Sequence, residues 1–76
     1  MFGIPTMTTD YTNDPEIFDP KKFQVNPDLS REKNLYYLHK AIVTAYRKAK
    51  IPRKVANEVA ERNANNILDT LLSENF

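Results

Sequence analysis

The positions of the five prolines divide this chain into three parts. Four of them lie within the first 28 residues: Pro5, Pro15, Pro20 and Pro27. The fifth, Pro52, interrupts a long stretch whose apolar residues recur at helical spacing. Because proline lacks a backbone N–H and disfavours helical geometry at the residue before it, it ends or kinks a helix. The sequence therefore predicts an N-terminal arm over residues 1–28 and a pair of helices over residues 29–76.

The stretches on either side of Pro52 each carry an apolar stripe that is typical of an amphipathic helix. The first helix is predicted over residues 29–50, with Ser30 or Asp28 as its N-cap. Its apolar face comprises Leu35, Leu38, Ile42, Ala45 and Ala49, widened by Tyr36, Val43 and Tyr46. The second is predicted over residues 52–74, because proline suits the first turn of a helix. Its apolar face comprises Val55, Ala56, Val59, Ala60, Ala64, Ile67, Leu68, Leu71 and Leu72.

The N-terminal arm combines its prolines with threonine at positions 6, 8, 9 and 12, which favours extended backbone. Within it, residues 14–18 and residues 19–23 both begin with Asp-Pro and end with Phe. Aspartate is a good N-cap and proline suits the first helical position, so each pentad predicts one capped turn. These turns display Phe18 and Phe23, which either pack on the chain's own helices or dock on another protein.

The predicted fold class is all-α: two amphipathic helices joined at a short proline corner and preceded by an extended Pro/Thr-rich N-terminal arm. In a chain of 76 residues, two helices form only a thin core. The conformational entropy lost on folding must be offset by apolar burial. We therefore expect a further layer over the helices, supplied by the arm, by a second copy or by a larger partner.

The composition argues against most catalytic and metal-binding sites. The chain has no cysteine, one histidine at position 39 and one glycine at position 3. These numbers exclude a cysteine-based zinc site, a cluster of histidines within one chain and the glycine-rich loop that cradles phosphates. We expect a protein that is not an enzyme and that has no cofactor and no small-molecule substrate.

The hydropathy pattern gives an expectation about location. The sequence has no run of about 18 apolar residues, which a transmembrane helix requires. Its N-terminus lacks the cationic and long apolar segments of a signal peptide. We therefore expect no membrane partner and no secretion, and a location in the cytoplasm or within a viral particle.

Charge is distributed unevenly along the chain. Residues 1–30 and residues 55–76 each carry a net charge of −3, whereas residues 31–54 carry +7. Such a basic segment either meets the acidic flanks of its own chain or presents itself to an anionic partner. Six side chains around the proline corner are candidate contacts to nucleic acid or another anion: Arg47, Lys48, Lys50, Arg53, Lys54 and Asn57.

The leading functional hypothesis is protein–protein interaction, as a minor structural or accessory subunit of a larger assembly such as a virus or phage particle. The candidate contacts to other subunits, or to a second copy of the chain, are two apolar groups. The arm contributes Phe2, Ile4, Tyr11, Phe18 and Phe23. The C-terminal end contributes Leu68, Leu71, Leu72 and Phe76. Aromatic anchors of this kind commonly dominate protein interfaces.

Two alternatives stay open at this point. The first is a nucleic-acid-binding regulator that uses residues 45–59 as a helix-turn-helix, with the start of the second helix in the major groove. The second is a small soluble inhibitor that docks its acidic arm on a basic surface of a host or partner enzyme. The two alternatives differ from the leading hypothesis in the part of the chain that touches the partner.

Overall fold

The computed structural model describes residues 12–75, with side chains over residues 12–74. A short 3-10 turn, Pro20–Lys22, precedes two α-helices, which we name α1 (Arg31–Lys48) and α2 (Arg53–Asn75). The described part of the chain contains no strand. The architecture confirms the prediction of an all-α pair of helices joined at a proline corner.

Helix α1 begins where its sequence offers a cap. The Ser30 hydroxyl oxygen accepts a hydrogen bond from the backbone N–H of Lys33 at 3.2 Å. This bond satisfies one of the N–H groups that the first helical turn leaves without a partner. The helix thus starts at Arg31, two residues after the start predicted from the apolar pattern.

The corner between the helices is a Schellman-type turn. The N–H groups of Lys50 and Ile51 donate back to carbonyls in the last turn of α1, at 2.9 and 3.1 Å. Lys50 adopts a positive φ of 68°, the left-handed geometry in which glycine usually ends a helix. Pro52 follows, and its carbonyl accepts the N–H of Ala56 at 2.9 Å. This turn ends α1 at Lys48, earlier than predicted.

The two helices run antiparallel and pack along their lengths. Arg31 at the start of α1 lies 2.8 Å from the carboxylate of Asp69, near the far end of α2. The buried side chains of α1 include Leu38, Ile42 and Tyr46. Those of α2 include Ala56, Val59, Ala60, Ala64, Leu68 and Leu71. The alanines of α2 leave room for the larger side chains of α1, so the helices form a core without a third helix.

The arm supplies the third layer over residues 12–30. Phe18 is only 8% exposed and belongs to the hydrophobic core, and Phe23 packs against that core. Near the corner, the Tyr46 hydroxyl accepts the N–H of Asp14 at 2.6 Å and donates to the side-chain oxygen of Asn13 at 3.0 Å. These contacts attach the arm to the end of α1.

Asn34 attaches the arm a second time, at the start of α1. Its side-chain oxygen accepts the N–H of Asn26 at 2.9 Å, and its amide group donates to the carbonyl of Asn26 at 2.9 Å. The same amide group also donates to the carbonyl of Ser30 at 3.1 Å. A buried amide needs such partners, because leaving its polar atoms unpaired is costly. The described arm therefore lies along its own helices, between Tyr46 and Asn34.

The predicted apolar face of α1 is wrong at three positions. Ala49 and Tyr36 are exposed, whereas the sequence analysis placed them on the apolar face. Asn34 is buried, whereas the sequence analysis did not assign it to the core. The core row of α1 follows Asn34, Leu38, Ile42 and Tyr46 at four-residue intervals, because these positions face both α2 and the arm.

Candidate anion-binding face

The structure describes two of the five predicted arm contacts. Phe18 and Phe23 pack on the chain's own helices, which is the first of the two arrangements that the sequence allowed. In this arrangement the Phe18 ring is too buried to contact a partner. Phe2, Ile4 and Tyr11 lie outside the described residues, so their contacts with other subunits stay a prediction.

The predicted C-terminal contacts are largely part of the core. Leu68 is fully buried and Leu71 is nearly so, while Leu72 is half-buried against the same core. Phe76 lies outside the described residues. These leucines stabilise the hairpin, and most of their surface is already covered by α1 and the arm.

The six predicted anion contacts at the corner are all exposed. Four of them, Arg47, Lys48, Arg53 and Asn57, line one open groove of about 600 Å³ between the end of α1 and the start of α2. Lys50 and Lys54 lie exposed at the same corner without lining that groove. The corner is therefore a positively charged surface, contributed by both helices.

The positive surface extends along α1 beyond the predicted residues. Lys33, Lys40 and Arg47 follow each other at seven-residue intervals, which places them in one row on the side of α1 opposite the core. At 1.5 Å per residue the row is about 21 Å long. The sequence analysis missed Lys33 and Lys40 as contacts, although the interval between the three cations was visible in the sequence.

Two tyrosines lie among these cations. Tyr36 is 61% exposed and Tyr37 is 49% exposed, and their rings meet edge to face with centroids 5.4 Å apart. The Lys40 ammonium lies 6.0 Å from the centroid of the Tyr36 ring. Below we use the term basic face for the following exposed residues of α1, the corner and α2: Lys33, Tyr36, Tyr37, Lys40, Thr44, Arg47, Lys48, Arg53 and Asn57.

No described carboxylate forms an ion pair with the basic face, although Asp19 of the arm lines a groove together with Lys40 and Lys48. Residues 33–57 contain seven lysines and arginines and no aspartate or glutamate. The ion pairs of the described chain lie elsewhere, between Arg31 and Asp69 and between Arg62 and Glu58. A surface whose charges are all positive raises the local concentration of anionic partners.

Arg47 is held in place at the groove. One terminal nitrogen of its guanidinium donates to the carbonyl of Ile51 at 3.2 Å, across the corner. This bond links the last turn of α1 to the residue that precedes Pro52. A guanidinium held in this way loses less side-chain freedom when an anion binds.

The hairpin differs from a helix-turn-helix in geometry. In that motif the two helices meet at about 90–120° and the second helix projects into the major groove. Here α2 lies antiparallel along α1, as the contact between Arg31 and Asp69 requires. The start of α2 thus forms one surface with α1 and does not project from it.

Among the described side chains, no group of three or more histidines, aspartates or glutamates is placed to hold a metal ion. Neither described helix combines the length and the apolar character that crossing a bilayer requires. The basic face brings exposed cations and exposed aromatic rings together on one surface.

Comparison of the chain with protein-family models, with curated protein sequences and with solved structures found no match.

Proposed function

We propose that this chain works by binding, as a non-enzymatic accessory subunit that attaches to a larger assembly through its basic face. The observation that carries the proposal is the row of cations on α1, which is exposed and has no described carboxylate partner. Charges that only keep a protein in solution are usually interspersed with charges of the opposite sign. A surface of one sign favours an anionic partner.

The exposed tyrosines support the same proposal. Tyr36 and Tyr37 together place two aromatic rings in solvent, on a helix whose other large apolar residues are at least partly covered. Tyrosine and arginine are the residues that most often anchor protein interfaces. Their combination with unpaired cations on one helix face favours a binding role for that face.

The burial of Phe18 changes which residues we propose as the attachment site. Phe18 and Phe23 pack on the helices, so the arm's contribution to an interface would come from Phe2, Ile4 and Tyr11. The residues of the basic face, in contrast, are all exposed in the described structure. An assembly of the proposed kind would lie in the cytoplasm or within a viral particle.

Sedimentation of the tagged chain through a density gradient, in an extract of its native source, tests the proposal. The Lys33→Ala/Lys40→Ala variant should lose co-sedimentation with large particles, because it removes two charges from the basic face. The control, Lys21→Ala/Arg62→Ala, removes two exposed charges that line neither groove of the basic face, and it should sediment like the unaltered chain. If the unaltered chain stays at the top of the gradient, the proposal fails.

A truncation separates the basic face from the arm as the attachment site. Removing residues 1–23 would remove Phe18 from the core and unfold the hairpin, so the truncation should end at residue 11. A chain that lacks residues 1–11 should still co-sediment if the basic face is the attachment site. Loss of co-sedimentation on this truncation alone would favour the arm instead.

A further inference from the structure

We infer that the basic face binds single-stranded nucleic acid, with its cations on phosphates and its exposed tyrosines stacked on bases. The inference rests on the proposed function, because it names the partner of the same face. It extends the site from the corner to the whole outer surface of α1. In the inferred mode, stacking on the bases and contact with the phosphates take the place of hydrogen bonds to base edges in the major groove.

The arrangement of the cations suits a strand of phosphates. Lys33, Lys40 and Arg47 form a line along α1, and the groove at the corner adds Arg53 to the end of that line. A nucleic-acid strand presents its phosphates in a row, so a row of cations can contact several phosphates of one strand. Binding to such a strand releases counterions and weakens steeply with salt.

Charge alone does not explain the exposed pair of aromatic rings. Proteins that bind single strands combine a positively charged track with aromatic rings on which bases stack. The Lys40 ammonium lies 6.0 Å from the Tyr36 ring, so a cation and an exposed ring are neighbours. A nucleotide carries its base and its phosphate close together, and this pair of side chains matches both parts.

The geometry of the rings limits how a base can bind. The planes of Tyr36 and Tyr37 are inclined by 72°, so the two rings cannot sandwich one base between parallel faces. A base can stack on the exposed face of one ring. We therefore expect the two tyrosines to contribute separately, and to accept any base, because every base has an aromatic face.

Two observations favour a single strand over other anions. Bases in a duplex are stacked on each other and cannot stack on Tyr36, and the antiparallel hairpin has no projecting helix that enters a groove. An acidic protein surface would satisfy the cations and pack on the rings, but a nucleic-acid strand carries a flat base next to each phosphate, which matches the neighbouring Tyr36 and Lys40. A single strand uses both the charges and the rings.

Fluorescence anisotropy of the full chain with a labelled oligothymidylate of about 12 nucleotides tests the inference. The competitors are a duplex of the same length and polyglutamate, at matched charge. The slope of log affinity against log salt should be near −3 for roughly four phosphate contacts on a single strand. Both competitors should displace the labelled strand less effectively than unlabelled oligothymidylate.

The variants separate stacking from charge. Tyr36→Leu and Tyr37→Leu keep apolar bulk but remove the aromatic ring. The variant with the larger loss should bind the oligonucleotide about tenfold less tightly than the unaltered chain, with the salt slope unchanged. Lys40→Ala should reduce the steepness of the slope by about 0.7, whereas the control Lys21→Ala should not change it. Circular dichroism verifies that each variant keeps its helices.

Every outcome of these experiments either supports or refutes the inference. Preference for the single strand together with loss of affinity in a tyrosine variant supports the inference. If polyglutamate or the duplex competes as well as the single strand, or if both tyrosine variants bind normally, the inference is wrong while the proposed function stands. If no polymer binds, the inference is also wrong, and the sedimentation experiment decides the proposed function separately.

Discussion

Helices α1 and α2 bury comparable faces but expose very different ones. On the exposed side of α2, Glu58 pairs with Arg62 at 3.3 Å, and Asp69 pairs with Arg31 at 2.8 Å. On the exposed side of α1, the row of cations and the two tyrosines have no such partners among the described carboxylates. The charges of α2 are partly used within the fold, whereas those of the basic face are not.

This difference shows which part of the chain can be altered without unfolding it. Substitutions on the core side of α1 remove packing or buried hydrogen bonds, so they should lower the free energy of unfolding. Substitutions on the basic face remove groups that contact mainly solvent, so they should change binding with little effect on folding unless they place glycine within a helix. The predictions below compare matched positions on the two sides, from the largest expected effect to the smallest.

The core of the hairpin should be most sensitive at Leu38, which is 0% exposed. Leu38→Ala should lower the free energy of unfolding by about 3 kcal/mol, because it leaves a cavity between the helices and the arm. The free energy of unfolding of a domain of this size is only about 3–5 kcal/mol, so much of the helical circular dichroism signal should be lost. Urea denaturation followed by circular dichroism measures the change.

The matched variant on the basic face is Tyr36→Ala, two residues earlier on α1. It should change the free energy of unfolding by less than about 0.5 kcal/mol, because the ring is mostly in solvent. Equal destabilisation by the two variants would contradict the division of α1 into a core side and a binding side.

The second matched pair consists of two asparagines, Asn34 on the core side of α1 and Asn57 on the basic face. Asn34→Ala should lower the free energy of unfolding by about 2 kcal/mol, because the polar groups of Asn26 and Ser30 lose their buried partner. Asn57→Ala, on the basic face, should leave it unchanged or raise it slightly, since alanine is the better helix former. Thermal denaturation of both variants measures the difference, and a small effect at Asn34 would mean that the arm is not held there.

The attachment of the arm near the corner depends on one hydroxyl group. Tyr46→Phe should lower the free energy of unfolding by about 1.5 kcal/mol, because the hydrogen bonds to Asp14 and Asn13 are lost. A double-mutant cycle with Asn13→Ala should show coupling between the two positions. Strict additivity would indicate that the hydroxyl and the Asn13 side chain do not interact.

At the corner, the backbone geometry favours glycine at position 50, whereas the sequence places a lysine there. Lys50→Gly should raise the free energy of unfolding by about 1 kcal/mol, because glycine adopts the positive φ of 68° without steric cost. Lys48→Gly, two residues earlier and within α1, should lower it by about 1 kcal/mol. Urea denaturation should give the two changes opposite signs, and equal signs would contradict the left-handed turn.

The smallest effect is expected at the exposed ion pair between the ends of the helices. Asp69→Asn should lower the free energy of unfolding by less than about 0.5 kcal/mol, since both charges of the pair with Arg31 are substantially exposed. The difference from the unaltered chain should disappear in about 1 M salt, where such pairs are screened. A larger loss would show that this pair, and not only the core, holds the helices antiparallel.

The candidate site was partly predictable. Charge and the position of Pro52 were sufficient to predict the exposed corner, because lysine and arginine are rarely buried without a partner. Tyr36 was assigned to the apolar face instead, because a tyrosine at helical spacing suits either a core or a surface. Lys33 and Lys40 join the same site only when the core side of α1 is known.

The sequence alone was sufficient for the two helices and for the break between them at Pro52, because caps, proline and apolar spacing act within a few residues of each other. Whether that break is a hairpin or a kink depended on the packing of the two helices. Ser30, the apolar rows and Pro52 are such local signals. Tertiary structure decided which side of α1 is buried, because that depends on residues far away in the chain. Asn34 is buried because Asn26 pairs with it, and Tyr46 is buried because α2 and the arm close over it. The same packing left Tyr36 and the row of cations exposed as a binding surface.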